Sequence, residues 1–390
     1  MKRLIPVLCL LFLSIITQAQ SYTYLGVNEG LSHRHVYSIQ KDSKGYMWFL
    51  TYEGADRFNG AEFKHYNFFL DGHKLNSSTH LKNLFYSPDN ILWQIGSDGK
   101  VFQYNNYSDE FELFYTYPNE SSETTILDFS DIDENNRIWM AYQGNLHIYN
   151  YQKRKEVSIT QHPLYAATSI EQLQGDSYAI GTTHGVFLAE IRNDSLQLTT
   201  NSLLIEKLPM RIEQLYYHKE SNSLIIATLR QGLFIYDIEK GTLSSQLDLQ
   251  TTSVNKMTHY NEDEILVATN GAGVFLLNVT KQTLQPYIIA DYDSPNGMNG
   301  NNIKDIFLDE SDRIWMANYP EGITIRNNQN MNYEWIRHIP KHSQSLIHDE
   351  VNCILEDKDG DLWFATTNGI SLYHTKTDRW ESYLSSYNQE

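Results

Sequence analysis

The chain has 390 residues, enough for one large domain or two ordinary ones, and 41% hydrophobic with 13% aromatic residues supplies a packed core. A formal net charge of −18 at pH 7 repels phosphate backbones and argues against nucleic-acid binding. Of two cysteines, Cys9 and Cys353, the first lies in the leader described next, so the exported chain can form no internal disulfide.

Residues 1–19 read as a signal peptide. Lys2 and Arg3 precede an apolar run from Leu4 to Ile16, and Thr17-Gln18-Ala19 puts small residues at −3 and −1 of a cut after Ala19. That run is too short to span a bilayer, and no later stretch reaches spanning length, so the chain carries no membrane span. The expected location is periplasmic or extracellular.

From residue 20 to 390 the sequence repeats. Pairs of apolar residues three apart open eight units: Val36/Ile39, Leu81/Leu84, Ile126/Phe129, Ile170/Leu173, Ile212/Leu215, Val254/Met257, Ile303/Ile306 and Val351/Ile354. Residues three apart on a strand point to opposite faces, so this first strand is expected to be buried on both sides. A polar turn follows, as in Asp42-Ser43-Lys44-Gly45 or Asp357-Lys358-Asp359-Gly360, then a second strand centred on Trp48, Trp93, Trp139, Trp315 or Trp363. Units four to six put Ala179, Ile225 and Leu266 at the Trp position. A glycine recurs next, at Gly54, Gly99, Gly144, Gly185, Gly232, Gly273, Gly322 and Gly369, where a positive φ or a close backbone approach is needed. The third strand follows it, and a more polar fourth strand closes the unit, as in Arg379-Trp380-Glu381-Ser382-Tyr383. Doubly buried first and half-exposed last is the inner-to-outer gradient of a propeller blade. The period also exceeds that of β-helix coils, so the expected fold is an all-β propeller of four-stranded antiparallel blades.

Unit one resembles the two-component regulator propeller repeat, through Gly30-Leu31-Ser32, Val36-Tyr37-Ser38-Ile39-Gln40-Lys41-Asp42, Gly45-Tyr46-Met47-Trp48, Thr51, Gly54 and Arg57-Phe58-Asn59-Gly60. Unit eight resembles it through Asp357, Gly360, Leu362-Trp363, Thr366, Gly369 and Tyr373, while units four to six are degenerate. The resemblance implies the periplasmic sensor region of a hybrid two-component histidine kinase of the Bacteroidetes type, often tied to polysaccharide use. In that family two seven-bladed propellers precede a membrane helix, a kinase and a DNA-binding output. This sequence carries eight repeats without those later parts, so the implied partner is a histidine kinase or the remainder of a longer sensor. Seven blades plus one extra repeat is the arrangement the family implies; an eight-bladed ring is what the bare count implies. In either, Tyr22-Thr23-Tyr24-Leu25-Gly26-Val27 reads as a fourth strand without its first three, placed to close the ring.

Asp357-x-Asp359-Gly360-Asp361 could hold a cation, but it occupies the repeat's own turn and lacks a distal bidentate Glu, so no metal is expected. No catalytic motif and no cofactor fingerprint is present, and the chain is read as a non-catalytic sensor or ligand-binding module. A structural or protein-interaction propeller is the alternative, and a propeller lyase or hydrolase a further one. Within a blade, the loops entering the first strand share a face with those between strands two and three. They carry His33, Arg34, His35, Tyr52, Glu53, His184, Arg211, Arg230, Asn302, Tyr319, His348 and Asn368, the candidate ligand contacts. The opposite face receives the acidic turns at Asp42, Asp133, Asp309 and Asp357. Donors and rings on the first face suit a hydroxyl-rich ligand, an oligosaccharide by the family resemblance.

Overall fold

The computed structural model describes residues 21–70, 73–74, 81–96, 98–117, 127–142, 145–160, 165–199, 207–249, 252–290, 297–327, 336–339 and 342–384. The leader and the repeat residues Ile126 and Gly144 lie outside them.

Two compact units result, residues 1–329 and 330–390. In the first, six sheets have strands in sequence order, beginning with Val36–Lys41, Leu81–Tyr86, Leu127–Ile132, Ala167–Gln172, Ile212–His218 and Val254–His259. The seventh is Ile303–Leu308, Arg313–Asn318 and Gly322–Asn327, completed by the N-terminal strand Ser21–Leu25. Each first strand packs against the next, and Ile303–Leu308 returns to Val36–Lys41, so seven blades close a ring around a channel. The second unit is one four-stranded sheet, Val351–Glu356 to Arg379–Tyr383, around Leu346, Phe364 and Tyr373. Seven blades plus one repeat is therefore the arrangement found.

The ring is held by the second strands, whose alternate side chains face opposite neighbours. Trp48 packs with Leu84 and Phe102 of blade 2, Trp93 with Ile138 of blade 3, Trp139 with Tyr178 of blade 4, and Trp315 with Phe49 of blade 1. Where Trp is missing, Ala179, Ile225 and Leu266 fill the same joints with aliphatic packing. Each indole is anchored. Trp48, Trp139, Trp315 and Trp363 donate Nε1–H to the turn carboxylates of Asp42, Asp133, Asp309 and Asp357, six residues earlier, at 2.8–3.0 Å. Trp93 uses Ser87 instead, at 3.1 Å. Both oxygens of Asp357 are engaged, Oδ2 by that indole and Oδ1 by the Asp359 and Asp361 N–H groups. Leu173, Lys219 and Tyr260 stand at the turn position of the three blades without Trp, so carboxylate and indole are lost together.

The recurring glycine needs both properties proposed for it. Gly232 has φ +75°, and a Cβ there would lie 2.1 Å from the Leu247 carbonyl oxygen. The third strand starts beneath the end of the outermost segment, and no side chain fits between.

Three expectations need correction. Pairing of Leu127 with Tyr142 and Ser130 with Met140 moves the third unit's pair from Ile126/Phe129 to Leu127/Ser130. The fourth unit's pair is Ala167/Ile170, and Leu173 belongs to the turn, its N–H bonded to Ser177. The first strands are also not buried throughout, because positions facing the channel are polar, as in Gln40, Asp131, Glu171 and Lys256. Blade 3 departs from the pattern in another way. Its fourth strand is only Lys155–Glu156, after which Ser158–Ile159 crosses to pair in parallel with Ser195–Thr199 of blade 4.

Candidate functional site

One backbone bond fixes which loops share a face. The first residue after the second strand donates its N–H to the carbonyl just before the first strand: Tyr52 to His35, Thr183 to Ala166, Leu229 to Arg211, Asn270 to Ser253, Tyr319 to Asn302 and Thr367 to Glu350. At 2.8–3.2 Å these are ordinary hydrogen bonds, repeated because the blade itself is repeated.

At blades 7 and 1 this face gathers His33, His35, Tyr52 and Tyr319. The His33 and His35 rings lie 4.7 Å apart edge-on, His33 lies 5.1 Å from Tyr52, and His35 lies 4.6 Å from Tyr319. Lys304 Nζ sits 5.4 Å from the centre of the Tyr319 ring. Burial, then the neighbouring His33 and Arg34, push the His35 pKa down, so its imidazole is neutral at pH 7. Arg34 and Glu53 are exposed beside this group. Across the ring, Arg211 and Arg230 are exposed at blade 5, and both bear electrostatically on Glu213. His184 stacks on Tyr165 at 4.5 Å in blade 4, and Asn302 backs Tyr319 through its carbonyl. His348 and Asn368 belong to the second unit, where His348 Nδ1 bonds Thr367 at 2.9 Å.

Below the rim, side chains of one inner strand bind the exposed backbone edge of the next. Ser38 donates to the Leu84 carbonyl (3.2 Å), Asn83 to the Ser130 hydroxyl (2.8 Å) and more distantly to its carbonyl (3.5 Å), Thr168 to the Ile212 carbonyl (2.7 Å) and Asn255 to the Ile303 carbonyl (2.7 Å). The carboxylates of Glu213 and Asp305 accept the Val254 (3.0 Å) and Ile39 (2.8 Å) N–H groups. A sheet edge turned toward a channel must find partners, and these side chains supply them. Sequence reading missed this layer because these residues sit among apolar strand residues; the signal was polar side chains recurring one or two residues after the start of the first strand in six of the seven blades.

Farther along the inner strands, Asp131, Glu171 and Asp305 all bear electrostatically on the Lys256 ammonium, and Lys219 acts on Glu171 as well. Burial raises Asp131 to about 6, Glu171 to about 8, and Asp305 in the same direction, with Lys256 pulling the other way. A raised carboxyl pKa adds stability that is complete below the unfolded pKa and is lost as pH rises through the folded one. The ring should therefore lose stability as pH rises from about 4 to about 8. Glu171→Gln should remove the part lost between about pH 4.5 and 8, on the order of 2 kcal/mol once channel water is allowed for. Thermal unfolding of both proteins across that range checks this; parallel curves would refute it.

A ring of seven antiparallel four-stranded blades with a polar loop face defines a β-propeller. The two-component regulator propeller model matches residues 30–53 and 345–368, that is, the first and eighth repeats. Comparison with curated proteins gives no match. Among solved structures, the chain is similar to the extracellular domains of the hybrid two-component systems BT3049 and BT4673 of B. thetaiotaomicron. The identities are 17% and 18% and the TM-scores 0.64 and 0.60, over 93% of this chain and 54% of each of those. It thus spans about half their length. It is also similar to virginiamycin B lyase of Staphylococcus aureus, at 12% identity and TM-score 0.59, over 80% of this chain and all of that one.

Proposed function

We propose that the chain is an exported, non-catalytic sensor propeller that binds a glycan-derived ligand on its His/Arg/Tyr face and works with a histidine kinase. The match of the two-component regulator propeller model to the first and eighth repeats, together with a fold like that of hybrid-system extracellular domains, is the observation that carries this reading. The His33–His35–Tyr52–Tyr319 group supports it, since aromatic faces beside hydrogen-bonding rings are what sugar hydroxyls and C–H faces require. Hydrogen exchange with added oligosaccharides is the test. Protection at residues 33–35, 52–53 and 319 is expected, and protection confined to the turns at Asp42, Asp133 and Asp309 would overturn it.

Those turns are poor ligand sites for a physical reason. Asp42 Oδ1 accepts the Lys44 and Tyr46 N–H groups while Oδ2 holds Trp48, so both carboxylate oxygens are already engaged within the blade. Export is tested separately. The mature protein from its native envelope should begin at or near Gln20, and an intact Met1 on soluble cytoplasmic protein would refute it.

The similarity to a lyase favours a second reading, in which His33 or His35 acts as a base. Turnover abolished by either His→Ala change would establish it.

A further inference from the structure

Two lysines of the inner strands have carboxylates to match them: Lys41 pairs with Glu310, and Asp305, Asp131 and Glu171 all act on Lys256. Lys304, the second residue of Ile303–Leu308 in blade 7, does not. It is half-buried, and among the described residues it makes no hydrogen bond or ion pair. Burial alone lowers its pKa. Its ammonium lies 5.4 Å from the centre of the Tyr319 ring, at the edge of the His33–His35–Tyr52–Tyr319 group. Two carboxylates stand on the loops around that group, Glu53 and Glu321, and both are exposed; Arg34 is exposed beside them. Formal charge on this rim therefore balances, Arg34 and Lys304 against Glu53 and Glu321. The imbalance is one of solvation, because Lys304 is the charge partly withdrawn from water and no acidic group compensates it.

We propose that this rim takes a sugar bearing an acidic group, a carboxylate or a sulfate ester, with that group against Lys304. This rests on the reading that the rim binds a glycan-derived ligand and adds the charge of that ligand. An acidic group reaches Lys304 without displacing a native partner, and it supplies the compensation that the half-buried ammonium lacks. The neighbouring groups suit the rest of the sugar. Tyr37 is half-buried and acted on by both Tyr52 and Tyr319, and none of these three phenol hydroxyls has a hydrogen-bond partner among the described residues. The His35 N–H donates to His33 Nδ1 at 3.0 Å, which puts the proton of the neutral His33 ring on Nε2 as a further donor. Aromatic faces for the sugar's C–H groups thus stand beside donors for its hydroxyls, with one ammonium to select the acidic form.

The test is calorimetry on the full chain with glucose and galactose, their uronic acids and their 6-sulfates as probes. At least one acidic sugar should bind saturably and at least tenfold tighter than its neutral parent, with an affinity that falls as salt is raised. The uronic acid and 6-sulfate arms show which acidic group is preferred. Lys304→Met keeps the apolar stem and removes the charge. It should abolish the preference for the acidic sugar and leave the unfolding midpoint undiminished, because no native partner is lost. Neutral sugars binding as tightly as acidic ones, no binding of any acidic sugar, or an unchanged preference in Lys304→Met would overturn the proposal. If a neutral oligosaccharide still protects residues 33–35, 52–53 and 319 from exchange under any of those results, the acidic-group assignment fails alone. If that rim also stays unprotected, the sensor reading fails with it.

Discussion

Replacing Trp139 by alanine should cost the ring about 3–5 kcal/mol, the range for deleting a fully buried aromatic side chain. The indole is 0% exposed and packs 4.7 Å from the Tyr178 ring across the joint between blades 3 and 4. Its loss removes one donor from Asp133 Oδ2, which Tyr178 OH shares at 2.8 Å, and Tyr178 OH in turn accepts from Arg137 at 2.6 Å. Damage should therefore reach blade 4, because the carboxylate at the turn orders both sheets. Asp133→Ala should cost a similar amount, and the double mutant much less than the sum, since both changes break one shared contact. Denaturant unfolding of the four proteins measures the coupling; additive losses would show that the network is not one unit. Trp363→Ala should cost clearly less. That ring is only half-buried.

Deleting residues up to Gly26 should lower the unfolding midpoint of the ring sharply and make the protein self-associate. Ser21–Leu25 pairs with Gly322–Asn327 over five residues and, among the described residues, is the only fourth strand of blade 7. Without it, the edge of a central third strand is bare, with unpaired N–H and C=O groups and apolar Ile323 and Ile325 beside it. Each backbone bond is worth only about 1 kcal/mol net, but in a scaffold stabilised by nearest neighbours the last contact also keeps the first and seventh blades together. Gly322→Ala probes the same contact from inside. A Cβ there would meet the Leu25 carbonyl at 2.6 Å, at φ +94°, so this one methyl should loosen the closing strand. Sedimentation and thermal unfolding decide. A monomer with an unchanged midpoint would mean that the ring does not depend on this strand.

Much of the blade was legible in sequence. Trp48, Trp93, Trp139 and Trp315 mark the second strand because they occupy inter-blade joints, and the joint repeats with the blade. The glycines mark the turn into the third strand, where a carbonyl crosses within 2.1 Å of where a Cβ would be, as at Gly232. The two register errors fell in units three and four, where Ser130 and Ala167 take positions that Ile39 and Val36 hold in blade 1, so apolar spacing misled. The link from turn Asp to indole six residues on was present in the sequence as a paired gain and loss, and could have aligned unit three at once.

The candidate site was legible only as a list of loops. That His33, His35, Tyr52 and Tyr319 meet depends on blade 7 lying beside blade 1, which the closing strand decides across some three hundred residues of chain. The charged channel was not legible at all, because Asp131, Glu171, Lys256 and Asp305 come from four blades and are brought together only by the curvature of the closed ring. Local spacing determined the repeat, the strand order and the face each loop would reach, since these follow from alternation and turn chemistry within about 45 residues. Tertiary structure alone decided that seven blades close and the eighth repeat forms a unit of its own, because closure is won by whichever strand can pair with the last free edge, and Ser21–Leu25 takes the edge of blade 7.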